Sequence, residues 1–156
     1  MKKLLLLSVL FLINICYNYS QKTFTHQDTL RGAITPERLW WDVTYYHLSV
    51  DVNINNQTIT GSNTIQYKVL EAKNILQIEL QEPLKITKVT QQGRELTLKK
   101  DGYSYFIELK QKQKLGEINA LTVFYEGKPQ ESKNPPWNGG LTWEKDKNGN
   151  DWVVTT

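Results

Sequence analysis

The chain has 156 residues, with 19 lysines and arginines against 16 acids, a formal net charge of +3 and 39% hydrophobic residues. Its lysines, such as Lys85, Lys88, Lys99, Lys110 and Lys112, are scattered through turn-rich segments. That is the pattern of a solvated sheet surface, and it argues against a nucleic-acid footprint focused on one face. The single cysteine, Cys16, excludes a disulfide framework within the chain.

The first residues, MKKLLLLSVLFLINICYNYSQ, place Lys2 and Lys3 ahead of an apolar run from Leu4 to about Cys16, with Ser20 and Gln21 as the cleavage region. This is the anatomy of a secretory signal peptide over residues 1–20. The run falls short of the roughly 20 apolar residues a membrane helix needs, so no stable membrane span is expected. Cleavage just before Cys16 would instead yield a lipidated cysteine, although Asn14 and Ile15 are poor small-residue neighbours for such a site. The expected location is periplasmic, cell-envelope or extracellular. A mature chain without Cys16 would offer neither a thiolate metal site nor a cysteine nucleophile. Its roughly 135 residues suffice for one hydrophobic core and are too few for two domains.

Residues 21–34 are polar and aperiodic and read as a linker or an arm lying on the domain of residues 35–156. Thr35, Pro36 and Glu37 cap one short helical turn, since proline at the first helical position gives up no needed N–H. In WWDVTYYHLSVDVNINNQTITGSNTIQYKVL, Tyr46, Leu48, Val50, Val52 and Ile54 alternate with Tyr45, His47, Ser49, Asp51 and Asn53. The period of two predicts a strand. After a turn at Asn55 and Asn56, Ile59, Ile65, Tyr67 and Val69 share one face of a second strand, giving a hairpin with one dry and one wet face.

Leu76, Ile78 and Leu80 point inward from the next strand, which the Pro83 break ends. Ile86 to Gln91 and Arg94 to Lys99 flank Gln92 and Gly93 as a compact hairpin, and Asp101-Gly102 makes the following turn. Tyr103, Tyr105, Ile107 and Leu109 form another one-sided strand, as do Leu121, Val123 and Tyr125. Beyond Lys128 the composition shifts to Pro, Gly and Trp, with Asn148-Gly149 as a tight turn between Trp143 and Trp152. Six to eight short strands without a helical period predict an all-β, mainly antiparallel β-sandwich. Val153 to Thr156 read as the middle of a strand whose continuation lies past the end of the sequence.

Candidate chemistry is sparse. His26 and His47 are far apart in unlike contexts, and neither has a partner at metal-ligand spacing. No G-x-S-x-G elbow accompanies the serines, and no Gly-rich loop precedes a helix. Glu144, Asp146, Asn148 and Gly149 imitate the opening of a calcium loop, yet the closing position falls on Thr155, which cannot supply a bidentate carboxylate. A plain hairpin turn is the better reading. No catalytic, metal or substrate residue is assigned. Trp137, Trp143 and Trp152 are candidate interdomain contacts: a seam to an absent domain is favoured over a platform for stacking on sugars.

The order RGAITPERLWWDVTYYHLSVDVN, TITGSNTIQYKV, IELQEPLKITKV, LTVFYEGKP and NPPWNGGLTWEKDKNGNDWV resembles the start of secreted bacterial zinc aminopeptidases of the aminopeptidase N family. The likeness runs from about Arg31 to Thr156. It implies a saddle-like, mostly antiparallel N-terminal domain, incomplete at its C-terminus. Catalysis would belong to the next domain, where two histidines one helical turn apart in His-Glu-x-x-His meet one zinc and a Gly-x-Met-Glu-Asn segment holds the peptide. Neither motif occurs here. A residue that this kind of domain lends to grip the substrate amino terminus should lie just past Thr156. The implied partners are the missing catalytic domain of the same polypeptide and, for the full-length enzyme, peptide substrates; zinc is implied only there. The alternative is a free-standing secreted β-sandwich that binds carbohydrate or a protein partner through its tryptophans.

Overall fold

Sustained alternation makes β1 (Trp41–Asn53) and β2 (Thr58–Val69) a long antiparallel hairpin in the computed structural model, which describes residues 23–156. A bulge between Val43 and Tyr45 shifts the parity of β1. Trp41 and Val43 thereby share a face with Tyr46, Leu48, Val50 and Val52, opposite the odd-numbered residues of β2 from Ile59 to Val69. The remaining strands are β3 (Ile75–Glu79), β4 (Lys85–Gln91), β5 (Arg94–Glu95), β6 (Thr97–Asp101), β7 (Ser104–Glu108), β8 (Ile118–Gly127), β9 (Leu141–Lys145) and β10 (Asp151–Thr155). A five-stranded sheet in the order β1-β2-β8-β4-β5 faces a three-stranded sheet β3-β7-β6, and β9 and β10 pair as a separate hairpin. Every strand pair is antiparallel, so the fold is all-β as expected.

The segment from Arg94 to Lys99 is not the single strand that its sequence suggested. β5 pairs with β4 only through Thr90–Glu95 and Gln91–Arg94, after which β6 pairs with β7 in the other sheet. Leu96 marks the crossing. It is buried in the core shared by both sheets, while its N–H still donates to the Val89 carbonyl at 2.9 Å. Burying Leu96 between the sheets offsets the loss of a continuous ladder, which is why local alternation misjudged the pairing.

The core joins Ile65, Tyr67 and Val69 of β2 to Val89, Tyr105, Ile107 and Leu121 from the other strands. Trp40 is fully buried in it, and its indole N–H donates to the Ile75 carbonyl at 2.6 Å. The rings of Trp40 and Trp41 stand edge-on to Tyr67 with centroids 6.1 and 5.7 Å away, a favoured aromatic geometry. Burial pushes the Tyr67 phenol up to about 12, against the lowering effect of the Gln91 side-chain hydrogen bond. Its hydroxyl accepts from Gln91 Nε2 at 2.9 Å and donates to Gln113 Oε1 at 3.3 Å.

The segment read as an aperiodic arm carries a helix, α1 (His26–Gly32), ahead of the expected single turn α2 (Pro36–Leu39). Thr25 and Asp28 form a capping box, with Thr25 N–H on Asp28 Oδ2 at 2.9 Å and Asp28 N–H on Thr25 Oγ1 at 3.2 Å. Thr35 does not cap α2 with its side chain; its hydroxyl donates to Gln77 Oε1 at 2.7 Å. Gln77, only 1% exposed, donates in turn to the Leu30 carbonyl at 3.0 Å and to Ser104 Oγ at 3.2 Å. The arm therefore covers the outer face of the small sheet and satisfies a polar residue that alternation placed outside. His26 Nε2 and Gln27 Nε2 both bond the Asp101 carboxylate at 2.8 Å, and the His26 bond is the main cause of its pKa being lowered.

Two outcomes follow. The Cβ added by Gly61→Ala would stand 2.1 Å from the Ser49 carbonyl oxygen and 2.7 Å from Tyr125 Oη, so urea denaturation should show a loss of about 1–3 kcal/mol. A loss near zero would mean that the strands part freely at that point. Because folding lowers the Asp101 pKa, the clamp on α1 is fully present above the ordinary carboxylate range and is lost as pH falls through the lowered value. The protection factors of the α1 amides, taken relative to the slower intrinsic exchange in acid, should fall at low pH in the parent and be low throughout in Asp101→Ala.

Candidate docking face

Reading across the large sheet, Leu48 pairs with Asn63, Asn63 with Val123, and Val123 with Val89, while Tyr46 leads through Ile65 to Leu121. All lie on the apolar face. Its exposure climbs across these rows, from 5% at Val123 to 61% at Leu48. Tyr46, Val50 and Val52 are likewise exposed. The face expected to be dry is dry over β4, β8 and the Ile65–Val69 end of β2 and is open over β1 from Tyr46 onward, because no part of the small sheet reaches that far. The opposite face is polar, carrying the Thr64–Thr122 hydroxyl bond at 2.9 Å, the Lys85–Glu126 ion pair at 3.0 Å, and Lys88 Nζ 4.5 Å from the Phe124 ring centroid.

The open region is a cleft of about 1040 Å³. One wall is the β1–β2–β8 face; the others are Ile78, Leu80 and Leu84 and the inner side of the β9–β10 hairpin, with Leu141, Val153 and Thr155. Asn63, whose side chain falls on the apolar parity, has a buried Oδ1 without a hydrogen-bond partner. The hairpin holds two more such atoms, Thr142 Oγ1 and Trp143 Nε1. Buried polar atoms without partners are costly, and a surface that carries them is shaped for groups that can supply the missing bonds. The extended apolar cleft, with the Asn63 Oδ1 atom among its lining, has the character of a recognition surface.

The tryptophans divide. Trp137 is 82% exposed and Trp152 59% exposed, whereas Trp143 is half-buried. Trp152 lies opposite Glu144 in the hairpin, and Trp143 opposite Val153. His26 is engaged with Asp101, and His47 stands exposed opposite Thr64. Among the described residues no group of three or more His, Cys, Asp or Glu side chains could hold a metal ion, so these residues do not fit a zinc site. The Asp146 carboxylate accepts from the N–H groups of Asn148 and Asn150, both at 2.8 Å, and from Asn150 Nδ2 at 3.0 Å. Its lone pairs are directed at turn donors, which is the hairpin arrangement expected for this loop. The Asn150 bonds also hold its carboxyl below the usual range.

Among the described residues no helix is long and apolar enough to cross a membrane. The apolar leader and Cys16 lie outside the described residues. Sequence reasoning missed Asn63 and the openness of the β1 face. The signal available was length: the first two strands are far longer than those expected to cover them.

No protein-family profile matches the chain, and no curated protein does. Solved structures do match in fold. A mutant M1 zinc metallopeptidase from Deinococcus radiodurans, bound to a Tyr-Ser-Ala substrate, superposes with a TM-score of 0.56 at 17% identity over 73% of this chain and 28% of its own. The M1 zinc metallopeptidase from the same organism gives 0.55 at 17% identity over 70% of this chain and 27% of its own. Yeast leukotriene A4 hydrolase in complex with bestatin gives 0.55 at 20% identity over 72% of this chain and 18% of its own. The similarity is one of fold, and the chain spans between about a fifth and somewhat over a quarter of these proteins.

Acrylamide quenching should distinguish the tryptophans. Trp137→Phe and Trp152→Phe should each remove a readily quenched component of the emission, whereas Trp40→Phe should remove a protected component and so raise the quenched fraction of what remains. Equal quenching of all five would contradict the burial of Trp40.

Proposed function

We propose that this chain is the non-catalytic β domain of an exported zinc aminopeptidase, which shapes the substrate cleft and docks on the catalytic part of the same polypeptide. The observation that carries the reading is the fold shared with M1 zinc metallopeptidases over about seven-tenths of this chain, matched to little more than a quarter of theirs. The residue order from Arg31 to Thr156, which resembles the start of aminopeptidase N-type enzymes, points the same way. In this reading the catalytic part supplies both the zinc and the activated water. The present residues supply a surface: the open apolar wall at Tyr46, Leu48 and Val50, with the exposed Trp137 and Trp152 as further anchors for the seam. Covering the wall would remove apolar area from water, and contributions of about 25 cal/mol per Å² make such a seam strong.

The test compares the purified chain with a polypeptide that continues into a His-Glu-x-x-His-bearing portion. Peptidase activity on free-amino-terminal peptides and stoichiometric zinc should appear in the extended form alone. Stoichiometric zinc on the short chain would contradict the proposal. So would an extended reading frame without a peptidase motif beside a stable short chain that binds glycans through Trp137 or Trp152.

A further inference from the structure

The large sheet ends on β1, and among the described residues nothing pairs with the outer side of that strand. The other end of the sheet is blunted, since β5 is only two residues long and charged, Arg94–Glu95. β1 is thirteen residues long and exposed along its whole second half on both faces. A long unpaired edge with an apolar row is a template for another strand, and what it accepts is decided by the side chains that would stand opposite.

Taken antiparallel against itself about Ser49, the strand is complementary. Leu48 stands opposite Val50 of the second copy and Tyr46 opposite Val52, all on the apolar face. On the polar face His47 stands opposite Asp51, an imidazole N–H donor against a carboxylate, and two-fold symmetry forms that pair twice. Other registers fare worse. Centring on Leu48 sets Asp51 against Tyr45, and centring on Val50 sets His47 against Asn53, so both lose the pair. Centring on His47 or Asp51 opposes like groups, and odd shifts set the apolar row against the polar one. Within its own sheet His47 faces Thr64 and Asp51 faces Thr60, so neither has an opposite charge directly across β2. The bulge between Val43 and Tyr45 falls just outside the paired stretch of residues 45–53.

We infer that β1 is a homodimerisation edge: two copies join through antiparallel β1–β1 pairing centred on Ser49, making a continuous sheet across the two-fold axis. The inference goes beyond the proposed function and does not rest on it, because the pairing uses the edge of the sheet and leaves the apolar cleft on its face free.

Sedimentation analysis of the purified chain should show a closed dimer. His47→Asp and Asp51→His, each of which opposes like groups twice, should weaken it by roughly tenfold. The double variant restores both pairs with the charges exchanged and should return the affinity to near the parent value, a result that general stickiness cannot produce. Val50→Lys, at a half-exposed position, should give a folded monomer by circular dichroism. In a Cys16→Ser background, Ser49→Cys should oxidise to a linked dimer and Tyr45→Cys should not. A parent chain that stays monomeric, association that grows past two copies, or single variants as tight as the parent would each overturn the pairing. So would an edge protected only when the chain is joined to a longer polypeptide, which would assign the edge to that polypeptide.

Discussion

The strands of the two facing sheets differ in length, and most of what distinguishes this molecule follows from that mismatch. β1 and β2 have 13 and 12 residues, whereas β3, β6 and β7 have five each. At about 3.3 Å per residue, five residues cover roughly 17 Å of a strand that runs for more than 40 Å. Sheets pack about 10 Å apart only where both are present, so the small sheet can dry one end of the large sheet's apolar face and must leave the other end open. Trp40, Tyr67, Leu76 and Leu121 mark the covered end, and Tyr46, Leu48, Val50 and Val52 the uncovered one.

The open end leaves two surfaces uncovered, which point in different directions. The cleft is a face, bounded by the β9–β10 hairpin and furnished with the unpartnered Asn63 Oδ1; it suits a bulky apolar partner. The β1 edge lies in the plane of the sheet and suits a strand. A partner on the face buries side chains, whereas a partner on the edge satisfies backbone groups, so occupation of one does not preclude the other. Neither surface carries reactive groups in an arrangement suited to catalysis.

Most strands were legible because alternation survives wherever one side of a strand is wetter than the other. Leu121, Val123 and Tyr125 and the β1–β2 hairpin are of this kind. Alternation failed where burial came from elements outside the sheet. Gln77 reads as an outward polar residue, but α1 and Thr35 close over it and meet its hydrogen bonds. The α1 helix has one buried side chain, Leu30, and hence no apolar stripe; its only local signature is the Thr25–Asp28 capping box. Leu96 could not reveal a change of sheet, because a strand that crosses between sheets keeps its period. Of the candidate interdomain tryptophans, the sequence places Trp143 and Trp152 on one hairpin, but their different burial is set by which side of it faces the cleft. The openness of the β1 face is a property of what lies above it, which no pattern within β1 records.

Hydroxyl-radical footprinting of the folded chain, read residue by residue by mass spectrometry, tests the half-covered sheet most directly. Tyr46 and Leu48 should be labelled at rates close to those in the unfolded chain, while Tyr67, Tyr105 and Leu121 on the covered part of the same core should be protected by at least about tenfold, as expected for groups shut away from solvent. Equal protection of Tyr46 and Tyr67 in the monomeric chain would mean that the apolar face is covered along its whole length, and the account of an open docking wall would fail.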